Sequence, residues 1–271
     1  MNSVIHPVDQ LPAAQRAARR RIIALLDLTD LRPEATPRDV VSLVERAATP
    51  LGPVAGIVVR SGYIGRLRRL LSEGPDRPRA IAAVNFPDAR QSAVAAVGEA
   101  VRAVERGADE IDLVFPWRSW LSGDRRTGPA LIAAVRREIG ETTLKVILES
   151  GVYPEGPLLH EAALAVVEAG ADFLKTSTGA HEADGKLIPG ASTEAVEALL
   201  GVAARPQGRT IGVKVSGGVR TLRDAQRFVR LADIWIGSRN VHPGRFRIGA
   251  SSLLEEILGE RPDPRAVAEA G

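Results

Sequence analysis

Residues 107–115 read GADEIDLVF, and the fold follows from how that stretch sits between its neighbours. Upstream, Ser92 to Arg106 carries apolar residues at helical spacing, and Gly107 stands where such a helix stops. Glu110 to Val114 is then a short strand-like run. Downstream the pattern repeats, with Pro129 to Ile139 helical and Leu144 to Leu148 short and apolar. Alternation of this kind builds βα units around a parallel sheet.

Followed outward, the rhythm gives about eight strands: Ile23 to Leu28, Val54 to Val59, Ala80 to Val84, Glu110 to Val114, Leu144 to Leu148, Phe173 to Thr176, Ile211 to Val215 and Ile234 to Ile236. Between them Pro37 to Ala48, Pro157 to Ala169 and Thr193 to Ala203 also have helical spacing. Pro37 and Pro157 suit first helical turns, and Gly140 and Gly170 suit helix ends. About eight strands without a break in composition predict an α/β chain folded as a single (β/α)8 TIM barrel, with a doubly wound sheet as the runner-up. The barrel is expected over residues 1–258, its core starting near residue 22 behind a short N-terminal helix. Residues 259–271, GERPDPRAVAEAG, read as a flexible tail.

The 271 residues are 45% hydrophobic and 25% charged, which is globular composition. There is no cysteine, so disulfides, thiolate metal sites and cysteine nucleophiles are excluded, and a cytoplasmic location is expected. The charge balance is only +3. Arg16, Arg19, Arg20 and Arg21 cluster without interleaved aromatics, which favours a solvated helix face over nucleic-acid binding. No apolar run approaches the roughly 18 residues of a membrane span. His6, His160, His181 and His242 are scattered without ligand spacing, so no metal is expected. Neither Gly-x-Ser-x-Gly nor Gly-x-Gly-x-x-Gly occurs where a hydrolase or a nicotinamide enzyme needs it.

Lysine is the informative residue. It occurs only at Lys145, Lys175, Lys186 and Lys214, and all but Lys186 fall within predicted strands. Lysine, unlike arginine, can lose its proton and become a nucleophile. By strand parity Lys175 shares a face with Phe173 and Ser177, and Lys214 with Gly212 and Ser216. Two inward amines on adjacent strands about 4.8 Å apart would lie within roughly 6 Å and repel by about 2–3 kcal/mol, enough to bring one toward neutrality. Spacing alone equally allows each lysine to be half of a structural ion pair. Asp112 shares a face with Glu110 and Val114, and Asp27 closes the first strand. A layer of Asp27, Asp112, Lys145, Lys175 and Lys214 would compensate its own charges and could relay protons. Glu149 and Asp172 read as end-of-strand charges facing solvent or neighbouring loops.

Three loops after late strands are rich in glycine and hydroxyls: Thr176-Ser177-Thr178-Gly179, Ser216-Gly217-Gly218 and Gly249-Ala250-Ser251-Ser252. Barrels commonly hold phosphate in this quarter, on bare backbone N–H groups. Arg220 could add a charged contact.

The motifs LLDLTDL, NFPDA, GADEIDLVFPW, LKVILESG, AGADFLKTSTG, VKVSGGVR and RIGASSLL, in that order from about Leu26 to Leu258, resemble the class I 2-deoxyribose-5-phosphate aldolase family. The resemblance implies a Schiff base on Lys175, a lowered pKa there through Lys214, proton transfer by Asp112 and support from Asp27. It implies phosphate contacts from Gly179, Gly217, Gly218, Ser251 and Ser252, with Thr178 nearby. The implied reaction is reversible cleavage of 2-deoxy-D-ribose 5-phosphate to D-glyceraldehyde 3-phosphate and acetaldehyde, without a cofactor, in deoxyribonucleotide catabolism. The implied partners are a phosphorylated sugar and an aldehyde, with a homodimer as the assembly. The chain departs from the pattern at Ala180, where many relatives carry lysine, in the longer loop 181–190, in Val58-Val59-Arg60-Ser61, and in lacking a C-terminal tyrosine; its tyrosines are Tyr63 and Tyr153.

Overall fold

In the computed structural model, which describes residues 7–183, 186–188, 190–206 and 208–259, eight parallel strands close into a barrel. They are β1 (Leu26–Asp30), β2 (Gly56–Arg60), β3 (Arg79–Val84), β4 (Glu110–Val114), β5 (Thr143–Ile147), β6 (Phe173–Lys175), β7 (Gly212–Ser216) and β8 (Phe246–Ala250). Each pairs with its neighbours in sequence, and β8 pairs with β1 to complete the ring. The flanking helices are α1 (Ala13–Ile23), α2 (Pro37–Ala47), α3 (Ile64–Leu70), α4 (Ala93–Glu105), α5 (Trp117–Leu121), α6 (Thr127–Ile139), α7 (Gly156–Glu168), α8 (Thr193–Ala203), α9 (Leu222–Ile236) and α10 (Leu253–Leu258). The predicted TIM barrel is the observed architecture.

Local signals explain the helix starts. Thr36 and Asp39 form a reciprocal capping box at α2, with Pro37 in the first turn, and Thr221 and Asp224 do the same at α9. Ser92 and Ser192 accept from the backbone at the starts of α4 and α8. Gly107, Gly140 and Gly170 end helices with positive φ, as their placement predicts. The arginines of α1 do more than face solvent. Arg21 pairs with Asp233 of α9, and Arg19 donates to the carbonyl of Glu256 in α10.

Strand alternation divides the interior into two regions. Ile111, Leu113, Leu144, Val146, Leu174, Val213 and Val215 point outward and pack with the helices in the main core. Inside the barrel, Leu31, Val58, Ile81 and Ala83 form a separate apolar wall with Phe86, on the side of β1 to β3. Buried charged residues occupy the rest of the interior together with the apolar Val114, Ile147 and Phe173.

Two strand assignments need correction. Ile234 to Ile236 is not the eighth strand but the last turn of α9, where Ile234 and Trp235 are exposed. The short apolar triplet mimics a strand, while the true one, FRIGA, is disguised by an inward arginine and a glycine. The first strand begins at Leu26 because α1 continues through Ile23, so Asp27 lies near the strand's start instead of closing it. The predicted tail lies outside the described residues, except Gly259, whose positive φ ends α10.

Candidate active site

Six of the eight strands contribute to one charged cluster. Asp27 on β1, Glu110 and Asp112 on β4, Lys145 on β5, Lys175 on β6, Lys214 on β7 and Arg247 on β8 are all buried. Isolated charges could not be buried at this depth, so the arrangement of partners decides whether the cluster is tenable.

The contacts form a closed ring of alternating sign. Asp112 Oδ2 lies 2.8 Å from Lys214 Nζ, whose other carboxylate is Asp27 Oδ2 at 2.6 Å. Asp27 Oδ1 accepts from Arg247, and Arg247 donates in turn to Glu110 Oε1 at 2.8 Å. Glu110 Oε2 contacts Lys145, and Lys145 Nζ returns to Asp112 Oδ1 at 3.0 Å. Three carboxylates and three cations thus balance. Lys175 is outside the ring, its Nζ 2.8 Å from Asp112 Oδ2, the same oxygen that Lys214 uses.

Glycines make room for the ring. Asp27 is flanked in the ladder by Gly56 and Gly249. A Cβ at Gly56 would stand 2.8 Å from Asp27 Oδ1, and one at Gly249 3.0 Å from Lys214 Cε. Any larger residue at either position displaces a charged partner.

The electrostatics follow from burial and neighbours. Burial pushes the Asp112 carboxyl up, but Lys145, Lys175 and Lys214 together hold it well below its usual value. Burial likewise opposes ionisation of Asp27, and Arg247, then Lys214 and Lys145, bring it down to about 2. Lys145 shows the reverse case: desolvation lowers it, but Asp112 and Glu110 prevail and raise it. Lys175 is the exception. Burial lowers it most, Asp112 opposes, Lys214 lowers it further, and the amine comes down to about 8. Spacing alone leaves two alternatives for Lys175, a perturbed amine or a structural ion pair. Both describe this site, because the pairing carboxylate is shared.

The three loops predicted to hold phosphate meet at the C-terminal rim. A Cβ at Gly179 would lie 3.5 Å from Gly217 Cα, and Ser216 donates its hydroxyl to the Ser177 carbonyl. Ser216 pairs with Gly249, so the strand ends leading to Gly218 and Ser251 are adjacent. Their donors differ. The N–H groups of Thr178, Gly179 and Ala180 already donate to Glu149, Ser177 Oγ and Thr178 Oγ1 at 3.3, 3.0 and 3.1 Å. Among the described residues, none of the N–H groups of Gly217, Gly218, Ser251 and Ser252 donates to a protein acceptor. Thr178 and Gly179 therefore shape the rim, and the free donors belong to the other four residues. Arg220 is exposed two residues beyond Gly218.

Of the two surroundings expected for Glu149, solvent or a neighbouring loop, the structure has the loop. It is buried, not solvent-facing, and accepts from the hydroxyls of Ser177 and Thr178 in a left-handed backbone conformation with φ +58°. Asp172 is at the opposite end of the barrel, paired with Arg136 and Arg209. Sequence reasoning did not single out Arg247 or assign Glu110 a partner. The available signal was the alternation Phe246, Arg247, Ile248, which puts one cation on the inner face of an apolar strand. Among the described residues, no group of three or more His, Asp or Glu is placed to hold a metal ion, and no helix is long and apolar enough to cross a membrane.

Comparison with known proteins agrees with the barrel fold. The DeoC/LacD family aldolase profile matches residues 4–257. A candidate deoxyribose-phosphate aldolase from Toxoplasma gondii ME49 superposes with a TM-score of 0.78 at 25% identity, over 93% of this chain and 98% of that one. Another, from Coccidioides immitis, gives 0.76 at 29% identity, over 90% and 87%. The tetrameric deoxyribose phosphate aldolase of Aeropyrum pernix shares the fold, with a TM-score of 0.67 at 24% identity over 92% and 98%. The chain belongs to the DeoC/LacD family of aldolases.

Proposed function

We propose that this aldolase cleaves 2-deoxy-D-ribose 5-phosphate reversibly to acetaldehyde and D-glyceraldehyde 3-phosphate through a Schiff base on Lys175. The observation that carries the reading is the position of Lys175 as the one cation outside a balanced ring, with its Nζ on Asp112. When Lys175 is neutral, the buried cluster carries no net charge; when it is protonated, one uncompensated charge is buried. Desolvation therefore favours the nucleophilic amine.

The uncharged Lys175 Nζ adds to C1 of the open-chain sugar. Asp112, which touches both Lys175 and Lys214, moves the amine proton, and water leaves as the iminium forms. The C3 hydroxyl is β to the iminium carbon, so its deprotonation breaks the C2–C3 bond. Glyceraldehyde 3-phosphate departs, and the two electrons of that bond remain as a C1–C2 enamine on Lys175. Protonation at C2 and addition of water at C1 release acetaldehyde and regenerate the amine. Asp27 supports the relay by holding Lys214 on its far side. The phosphate would be held by the N–H groups of Gly217, Gly218, Ser251 and Ser252, which donate to no protein acceptor among the described residues, with Thr178 and Gly179 completing the rim.

Reduction with borohydride in the presence of acetaldehyde, followed by peptide mass spectrometry, tests the reading. The expected product is an ethyl group on Lys175. Labelling elsewhere, or none, overturns it. Comparing cleavage rates across several sugar phosphates tests the substrate assignment separately.

A further inference from the structure

Arg247 is the ring member opposite Asp112, three ion pairs away by either route: through Asp27 and Lys214, or through Glu110 and Lys145. It is also the one cation of the cluster that does not release its proton in a protein. Its three guanidinium nitrogens are all engaged, by Asp27, by Glu110 and by the Pro243 carbonyl. Among the described residues, the charged groups in contact within the cluster are Asp27 from β1, Glu110 and Asp112 from β4, Lys145 from β5, Lys175 from β6 and Lys214 from β7; by strand parity Arg79 on β3 and Arg60 on β2 share the inner face toward its two ends, and Arg60 donates to the Leu31 carbonyl. Strands β2 and β3 offer the apolar wall of Val58, Ile81 and Ala83.

We propose that Arg247 is a positioning residue for the Lys175 amine: it fixes a permanent positive charge on the far side of the ring, so that Asp27 and Glu110 are neutralised without Lys175 and the surplus proton is the one on Lys175. This rests on the Schiff-base reading above. With Arg247 gone, the ring holds three carboxylates and two cations, and a protonated Lys175 becomes the third. With Glu110 neutralised instead, the ring holds an excess cation, and a protonated Lys175 is disfavoured further.

The two variants therefore move the amine in opposite directions. Competitive labelling of Lys175 by acetic anhydride across pH, read by mass spectrometry, reports the inflection without substrate; borohydride trapping with acetaldehyde reports the same amine at work. For Arg247→Met the inflection rises by about one pH unit or more, and trapping at pH 7 falls about tenfold and recovers at higher pH. For Glu110→Gln it falls by a similar amount, and the double variant returns toward wild type. Arg247→Lys, which keeps the charge, stays near wild type. An Arg247→Met enzyme that is slower at every pH with its inflection unmoved overturns the proposal. Should Arg247→Met not fold, an unmoved inflection in Glu110→Gln overturns it equally. Labelling that shifts as expected while wild type forms no imine would leave the ring intact and sink the Schiff-base reading instead.

Discussion

Lys175 and Lys214 stand directly opposite one another in the ladder between β6 and β7, and their Nζ atoms share one oxygen, Asp112 Oδ2, at 2.8 Å each. Asp112 also serves Lys145, so one carboxylate charge is divided among three amines. Lys145 has a second carboxylate in Glu110 and Lys214 has one in Asp27, whereas Lys175 has Asp112 alone. Counting partners identifies the weakest-held proton before any chemistry is invoked.

Removing that amine should abolish turnover and stabilise the fold. Lys175→Met leaves Asp112 paired with Lys145 and Lys214 and takes an unfavourable charge out of the interior. At pH 7 the gain is on the order of 2 kcal/mol, or a rise in Tm of about 5 °C. Lys175→Arg should also be inactive, because its guanidinium stays charged. Thermal melts beside a coupled assay check both, and a Lys175→Arg enzyme with normal turnover removes the nucleophile assignment.

The pH dependence has two parts. Since Lys175 comes down to about 8, the neutral fraction and kcat/KM should climb about tenfold per unit below that pH and level off above it. Folding is linked with the same sign: its pKa is lower folded than unfolded, so stability rises from about pH 8 toward the usual lysine value. Asp27 and Asp112 act at the other end. Both are depressed when folded, so their contribution is present above the usual carboxylate range and is lost as pH falls toward about 2. A pH–rate profile and an acid melt check the two parts, and a flat rate between pH 6 and 8 contradicts the first.

What the sequence revealed tracks how local the cause is. Glu110–Val114 and Thr193–Ala203 were placed to the residue because a strand run or a Ser cap marks their ends. The inward pairing of Lys175 and Lys214 was legible from parity, since neighbouring parallel strands keep their register. Arg247 was not, because its partners are 220 and 137 residues away and only barrel closure brings them together. The burial of Glu149 is not legible for a related reason: it depends on the neighbouring loop folding back over it, not on its own strand.

Phosphate recognition should be separable from aldehyde chemistry. Gly218 has φ +98° and nothing within 4 Å of its missing Cβ, so alanine there costs about 1 kcal/mol of backbone strain without a clash. The strained turn would misdirect its free N–H. Gly218→Ala should raise KM for deoxyribose 5-phosphate about tenfold and change that for unphosphorylated deoxyribose far less, with kcat retained. Equal effects on the two substrates would remove Gly218 from the phosphate cradle.

The rim itself is held from behind by Gly190. A Cβ on Gly190 would stand 1.9 Å from Ser177 Cβ, a distance no rotamer relieves, because the Ser177 backbone lies only 3.3 Å away. Ser177 would have to move, and with it the hydroxyl that donates to Glu149 and accepts from the Gly179 N–H. Gly217 would follow, since its carbonyl accepts from Ala191 and its Cα packs against Ser177. Overpacking at such a site costs about 1–3 kcal/mol, so Gly190→Ala should lower Tm by several degrees and raise KM for the phosphorylated sugar. The ring of charges lies below the rim and does not touch Gly190, so acetaldehyde trapping on Lys175 should persist in the folded variant. Loss of trapping together with an unchanged KM would mean that the rim and the amine are coupled in a way these contacts do not provide.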